Sequence, residues 1–544
     1  MLLRGACIHH DNGILGGCSF QTSEERKVRI LKEAGFNAIR SSHNPASKDL
    51  LEACDRLGMY MMDEFLDHWL VHKNPYDYAD ADFRKYWEQD LRAMVLKNYN
   101  HPCVIMSSIG NEISELALPE GQDYCKKMAE FVRSLDPSRP VTLGVNFMLC
   151  SMTAKGGGIY GDKKDRKGNK KENQNGSQSM DNVPTSTFFN MLMNMAGGMI
   201  EKMAAKPAAD AATEMAFSYL DIGGYNYAAS RYEKDKTLHP DRVIVGSETL
   251  PKNLYKNWQK VKRFSHMVGD FMWTGWDYLG EAGIGTVRYK SFKKPGNDMP
   301  IISGGCGVID ICGKIRPEVQ WNKLIWGLTD IPGIGVEPVT HSGDFGSVSM
   351  WRDTDAVESW SWHGFEGKKT KVIVYSNGAM AELLVNGKSY GKKLVKEYRA
   401  VFKNVRYEPG TITAVSLDTH GKEISQSSLK TAIGKTVLAV TAEKTELKAD
   451  GQDLCYLNID LVGEDGITKS SEDIPVTVEV SGAGFLQAFG SAKPNMGEDF
   501  HSKTHTTYYG KAQAIIRAGT EAGEIYVKVT ADKMRTKEVG IEVK

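Results

Sequence analysis

Along residues 1–285, short apolar runs alternate with stretches in which apolar residues recur every three to four positions. The runs lie at Leu3–Ile8, Ala38–Ser41, Tyr60–Asp63, Val104–Ile109, Val141–Gly144, Ile222–Tyr227, Val243–Val245 and Asp270–Trp273, and each reads as a buried strand. Between them the spacing predicts helices. Leu50, Cys54 and Leu57 share a face ahead of Gly58, as do Phe83, Trp87, Leu91, Met94 and the single polar exception Asn98. Thr22 and Glu25 read as a capping box opening an earlier helix, with Gly35 ending it. Eight strand–helix units with polar residues gathered just after the strands predict an α/β TIM barrel, (β/α)8, with its active site at the strand C-termini.

Lys155–Asn182 interrupts this pattern with Gly, Lys, Asn and Asp and reads as an exposed loop. A Met-rich helical stretch follows (Met191, Met193, Met195, Met199, Met203), expected to fill an irregular gap in the core rather than to bind a membrane or partner. From about Thr340 the period becomes two. Val372–Tyr375 reads as a strand, and Asn386-Gly387 between apolar runs is a hairpin turn signal. Leu457, Ile459 and Leu461, and then Ile525, Val527 and Val529, alternate in the same way. The expected organisation is a barrel over residues 1–335 with an insertion at 155–215, then two all-β immunoglobulin-like sandwich domains at 336–432 and 433–544. The boundary between the sandwiches is expected near Ser427–Lys435.

Lys plus Arg and Asp plus Glu both number 68, and a chain without basic excess is a poor partner for nucleic acid. No run of 18 apolar residues is present, so no membrane span is expected. Nine cysteines, scattered without a CxxC pair or a Cys/His cluster, indicate neither a disulfide framework nor a zinc site and suit a reduced, cytoplasmic protein. Met1 is followed at once by a strand-like run rather than by a secretory signal, so the chain is expected to begin inside a domain core.

Two strands end in carboxylates. Val104–Ile109 runs into Gly110-Asn111-Glu112, and Val243–Val245 runs into Gly246-Ser247-Glu248. Glu112 and Glu248 suit strands four and seven, facing one another across the barrel mouth, as glycoside hydrolysis requires of its acid and its nucleophile or base. One strand-end Glu alone is better explained as a helix cap or an ion-pair partner; two together are not. His9, His43, Asp63 and Trp273 follow other strands, and hydroxyl-rich sugars with apolar C–H faces call for such polar groups beside an aromatic platform.

These residues also carry a resemblance. Arg4-Gly5 through His9-His10-Asp11, Arg40-Ser41-Ser42-His43-Asn44-Pro45, Met62-Asp63-Glu64, Gly110-Asn111-Glu112, Gly246-Ser247-Glu248 and Phe271-Met272-Trp273-Thr274-Gly275-Trp276-Asp277-Tyr278-Leu279-Gly280-Glu281 resemble the barrel of glycoside hydrolase family 2 over residues 1–330. That family holds β-galactosidases, β-glucuronidases and β-mannosidases. The resemblance implies a retaining double displacement on small-molecule or oligosaccharide β-glycosides, with Glu112 as acid/base and Glu248 as nucleophile. Asn111 would hold the sugar 2-hydroxyl, His9, His43 and Trp273 would line the glycone pocket with Asp63, and Asn226 and Tyr227 would lie near the nucleophile. A pair about 5–5.5 Å apart should leave Glu112 protonated and Glu248 ionised.

Family members usually carry a jelly-roll and an immunoglobulin-like domain ahead of the barrel, and this chain has neither. The expectation is a partner chain that supplies those domains or a truncated gene, while the appended sandwich modules suit a homo-oligomer. No convincing copy of the Asn-x-Lys motif of family β-glucuronidases stands in the loop after strand eight, although Lys290, Lys293 and Lys294 add positive charge there. That favours β-galactosidase over β-glucuronidase, with a non-catalytic carbohydrate-binding protein or an incomplete subunit as the alternative from another class. No cofactor is expected; Mg2+ or Na+ near the acid/base is left open.

Overall fold

Eight parallel strands close on themselves in the computed structural model: β1 (Leu3–Ile8), β2 (Ala38–Ser41), β3 (Tyr60–Glu64), β4 (Val104–Asn111), β5 (Val141–Val145), β6 (Ile222–Asn226), β7 (Val243–Thr249) and β8 (Met267–Met272). β1 pairs with β2 (Gly5 opposite Ala38) and with β8 (Leu3 opposite Gly269), which closes the TIM barrel. The structure describes residues 1–74, 77–157, 198–289, 300–344, 346–352, 354–495 and 497–544. The chain forms two compact units. One comprises Met1–His10, Phe36–Gly275 and Ser349–Trp351, and the other Asp11–Gly35, Trp276–Val348 and Arg352–Lys544.

Barrel strands are buried nearly throughout, as parallel strands covered on both faces must be. Several run past their expected ends: β4 includes Asn111, β3 includes Glu64 and β7 includes Glu248, so strand hydrogen bonding fixes the backbone of these polar residues. β8 begins three residues earlier than expected. Among the helices, α1 (Gln21–Glu33) ends before Gly35, whose φ of 94° is open to glycine. Thr22 does not cap α1. Ser23 does, its hydroxyl meeting the Phe20 backbone, because the Thr22 hydroxyl is taken by Asp453. α2 (Lys48–Leu57) opens on Ser47, whose Oγ accepts from Leu50 N at 3.1 Å, and closes on left-handed Gly58. α3 (Asp80–Asn98) buries the expected face, Asn98 included. α4 (Pro119–Leu135) starts on proline, and α5 (Phe147–Thr153) on Asn146.

Residues 158–182 of the expected loop, and Met191, Met193 and Met195, lie outside the described residues. Met199 and Met203 fall in or beside the short helix Met199–Ala204, but Met199 is half exposed. Ile200 and Ala204 are the buried members there, so Met199 does not fill a core gap.

In the second unit, a three-stranded sheet that includes Gly333–Val336 and Lys369–Tyr375 shares a core with a four-stranded sheet; Val336, Trp360, Trp362, Leu383 and Phe402 are among its buried members. Asn386-Gly387 makes the expected two-residue hairpin, both with positive φ. Beyond Glu423–Lys430, the strand Val437–Ala442 begins a second antiparallel pair of four- and five-stranded sheets. Their core holds Leu457, Ile459, Leu461, Ile525, Val527 and Val529, the two alternating runs of the sequence. A further apolar cluster joins Ile14, Leu15 and Phe20 to Ile311, Leu454 and Ile515. All nine cysteines are free thiols. No helix among the described residues is long and apolar enough to cross a membrane.

Candidate active site

β4 and β7 deliver the two carboxylates. Glu112 N donates to Gly144 O of β5 at 2.7 Å, and Tyr227 N donates to Glu248 O at 2.8 Å, so strand-type bonds hold the backbone at both sites. Glu112 and Tyr227 have φ of 46° and 51°, a region costly for side-chain-bearing residues and met most often where function fixes a side chain. Both carboxylates are nearly buried, at 7% and 5% exposure.

One amide joins them. Asn226 Nδ2 lies 3.1 Å from Glu112 Oε1 and 3.3 Å from Glu248 Oε2, while its Oδ1 accepts from Ser247 Oγ at 2.7 Å. Glu248 Oε2 also accepts from Arg40 Nη1 at 3.0 Å, and Glu248 Oε1 accepts a short bond from the Tyr227 hydroxyl. The Tyr227 oxygen in turn accepts from Trp351 Nε1 at 3.0 Å. Glu112 Oε1 takes a second N–H from Asn146 Nδ2 at 2.8 Å.

Arg40 is fully buried on β2 and reaches Glu64 Oε2 twice (2.9 and 2.7 Å), Asn111 Oδ1 (2.8 Å) and Ser247 O (2.9 Å). Burial opposes its charge, but the Glu64 and Glu248 carboxylates outweigh that and hold the guanidinium charged. Asn111 Nδ2 donates to Asp67 Oδ1 at 2.9 Å and faces His43 Nε2 at 3.3 Å; His43 Nδ1 meets Glu64 Oε1 at 2.6 Å. Lys73 Nζ closes the ring on Asp67 Oδ1 and Asn111 O, both at 2.8 Å. Gly144 makes this possible: a Cβ there would stand 2.8 Å from Arg40 Nη2 and 2.9 Å from Asn226 Oδ1. Beside the polar ring, Trp273 stacks on His43 with centroids 5.1 Å apart, and His9 stands edge-on to Trp273 at 5.3 Å.

Burial, and then the charge of Glu112, push the Glu248 carboxyl up to about 7, against Arg40, His43 and the Tyr227 hydroxyl. This departs from the expectation that the environment would simply leave Glu248 ionised; the carboxyl whose proton burial favours is Glu248. Burial and the two carboxylates raise the Tyr227 phenol well above its ordinary value, so it keeps its proton and donates. Burial works against a charged His43, but Asp67 and Glu64 outweigh it and raise its pKa.

Glu112, Glu248, Asn111, Asn226, Tyr227, His43, His9 and Trp273 are thus brought together. Asp63 is not. Its carboxylate accepts from Ser41 Oγ, Ala46 N, Asn98 Nδ2 and Lys97 Nζ, turned towards α3, while its neighbour Glu64 faces Arg40 and His43. Successive strand residues point to opposite faces, and Glu64 holds the inward phase. Tyr225 likewise points away, to Asp235. Arg40, Glu64, Asp67, Asn146 and Trp351 are additional members. Asn146 follows β5 as other site residues follow their strands and was findable by that rule; Trp351 has no such signal.

Glu112 Oε1 faces two amide N–H donors, so that oxygen is not offered to a cation, whose hard oxygen ligands would have to come from elsewhere at the mouth. Away from the mouth, the fold does gather ligand-type atoms of Asp55, His101 and Cys103 within 4.8 Å of one another; His101 and Cys103 are sequence neighbours, and the fold adds Asp55. The Asp55 carboxylate is occupied there by His101 Nδ1 (2.6 Å) and Cys103 N (2.8 Å).

Residues 1–174 match the model of the glycosyl hydrolases family 2 TIM barrel domain, and 438–540 that of glycoside hydrolase family 2 C-terminal domain 5; 367–425 match a domain of unknown function, DUF4982. The chain is similar to beta-galactosidase BoGH2A of Bacteroides ovatus, 27% identical over 98% of this chain and 60% of that protein. A beta-glucuronidase of Bacteroides fragilis is 29% identical over 26% of this chain and 21% of its own length. A crystal structure of a glycosyl hydrolase family 2 member from Bacteroides cellulosilyticus superposes with a TM-score of 0.81 at 34% identity, covering all of this chain and 62% of that one. The chain thus spans about 60% of the length of these longer matches. With a family 2 barrel at one end and a family 2 module at the other, the chain belongs to glycoside hydrolase family 2.

Proposed function

We propose that the chain carries the catalytic machinery of a retaining exo-β-glycosidase. The observation that carries this reading is the single Asn226 nitrogen in reach of both carboxylates, at 3.1 and 3.3 Å. Two carboxylates that reach one nitrogen stand close together, which supports the retaining spacing of about 5–5.5 Å over the inverting one of about 6.5–9.5 Å. Arg40, Tyr227 and Asn226 all donate to Glu248, which suits the nucleophile; Glu112 receives only neutral amides, which suits the proton carrier. The Arg40 guanidinium, 3.0 Å from Glu248 Oε2, steadies the negative charge that Glu248 must carry to attack, against the burial that raises its pKa. Glu248 then attacks the anomeric carbon while the bond to the aglycone breaks and the Glu112 proton passes to the leaving oxygen. In the second step water attacks, Glu112 takes its proton, and the Glu248–sugar bond breaks.

A neutral sugar, with galactose first, suits the pocket. Arg40 is matched by Glu64 and Glu248, and Lys73 by Asp67, so with Glu112 the described carboxylates outnumber these two cations. Neither Arg40 nor Lys73 is left over to pair with a glucuronate carboxylate. The Bacteroides ovatus beta-galactosidase aligns along almost the whole chain, which supports the same choice. A β-glucuronidase is the second reading, favoured by the Bacteroides fragilis relative; Lys290, Lys293 and Lys294 lie outside the described residues. Free thiols at all nine cysteines suit a reducing compartment, and we place the protein in the cytoplasm.

The test is hydrolysis of p-nitrophenyl β-galactoside, β-glucuronide, β-mannoside, β-glucoside and α-arabinoside by the native chain and by Glu248→Ala. One Glu248-dependent substrate, the galactoside, is expected. Glu112→Ala should retain attack on aglycones that leave without a proton and lose the rest. Folded protein silent on every substrate would overturn the enzymatic reading in favour of a carbohydrate-binding one.

A further inference from the structure

Asn146 stands just after β5, is 1% exposed and has both ends of its amide committed. Its Oδ1 accepts from Met148 N at 3.1 Å and Leu149 N at 3.3 Å, capping α5. Backbone nitrogens only donate, so this cap fixes the amide: the oxygen faces the helix, and Nδ2 must face Glu112 Oε1, 2.8 Å away. Asn226 supplies a second N–H to the same oxygen; its orientation is fixed because the same nitrogen also faces Asn111 Oδ1, which Arg40 Nη2 identifies as an acceptor. An oxygen that faces two N–H donors has no room for a hydroxyl hydrogen.

We propose that Asn146 is a positioning residue for the proton transfer, holding Glu112 Oε1 as a pure acceptor so that the transferable proton resides on Oε2. A half-turn of the protonated carboxyl would carry its hydroxyl away from the leaving group. Asn146 opposes that turn by anchoring Oε1 to the start of α5. The inference rests on the glycosidase reading and deepens it, since it says which oxygen acts.

Other ionisable groups facing Glu112 are Glu248 on β7, Tyr227 after β6 and Cys150 on α5. Burial pushes the Cys150 thiol up, and Tyr227 is held neutral, so Glu248 is the charge that competes for the proton.

Asn146→Asp separates this role from capping. Aspartate caps helices as well as asparagine does, so α5 and the melting temperature should be preserved. A carboxylate oxygen would now stand where Nδ2 donated. It favours the protonated acid, so the alkaline limb of the kcat/KM profile moves to higher pH, by about one unit or more, and kcat at neutral pH falls about tenfold or more as the base step slows. In a Glu112→Ala background, assayed on an activated dinitrophenyl glycoside, Asn146→Asp should add no further loss, because the partner through which it acts is gone. A folded Asn146→Asp variant with native kcat and an unmoved limb would overturn the role of Asn146 alone, and so would a further loss in the Glu112→Ala background. Native protein whose turnover does not depend on Glu248 would overturn the glycosidase reading and this inference together.

Discussion

Arg40 has no solvent exposure, yet it touches Glu64, Glu248, Asn111 and a backbone carbonyl, and it sets the charge balance of the whole mouth. Removing one partner of a buried pair leaves the other uncompensated, at a cost of about 3–5 kcal/mol. Glu248 is different: burial and Glu112 raise it to about 7. A carboxyl with a raised folded-state pKa favours the fold while protonated, and that support fades as pH climbs from its unfolded value through about 7. Glu248→Gln should therefore melt above the native protein at pH 8, by about 1–3 kcal/mol of added stability, and lose that advantage near pH 5. Equal melting at both pH values would contradict the shift. Glu112 and Glu248 were legible because two strand-end carboxylates together, unlike one alone, are poorly explained as caps or ion-pair partners, and Asn111 because it stands beside Glu112. Arg40 lies within a strand and Trp351 far beyond the barrel, and only the fold brings them to the site.

At the scale of elements, β3 explains why Asp63 was misjudged. Its residues are almost all buried on both faces, so the sequence carries no alternation from which to tell the inward carboxylate from the outward one. Asn98, the polar exception on the apolar face of α3, was the overlooked sign, since its amide donates to Asp63 Oδ2 at 2.8 Å. Asp63 ties β2, β3 and α3 together through Ser41, Ala46, Lys97 and Asn98. Asp63→Ala should cost about 2–4 kcal/mol in thermal or urea unfolding by orphaning these donors, while KM of the folded enzyme stays within about twofold. A large rise in KM with stability intact would restore Asp63 to the sugar site. β5 makes the opposite case. Gly144→Ala would press a methyl group on Arg40 and Asn226, and kcat should drop by about tenfold or more at small cost in melting temperature. Native kcat in that variant would show that the ring tolerates the displacement.

On the whole-molecule scale, the order of barrel and sandwiches follows from the change of hydrophobic period near Thr340, and the runs at Leu457–Leu461 and Ile525–Val529 form the last core as their alternation predicts. What the pattern does not show is the long-range clasp within the second unit. Arg26 and Arg29 of α1 both reach Glu443 (2.9 and 3.0 Å), and Thr22 reaches Asp453. Burial opposes charge on Glu443, but the bonds to Arg26 and the Arg29 charge hold its pKa down, so its support is present above the ordinary glutamate range and lost as pH falls. Glu443→Ala should lower stability by about 1–3 kcal/mol at pH 7, with the gap closing towards pH 3. A gap that did not change with pH would point to lost packing instead. The central claim, that Glu248 forms the covalent sugar intermediate, is tested most directly by trapping. The native chain would be incubated with a 2-deoxy-2-fluoro β-galactosyl substrate bearing an activated leaving group, and its mass measured before and after proteolysis. One added fluorosugar on the peptide containing Glu248 is the expected result. A label on any other residue, or turnover with inversion and no label, would contradict it.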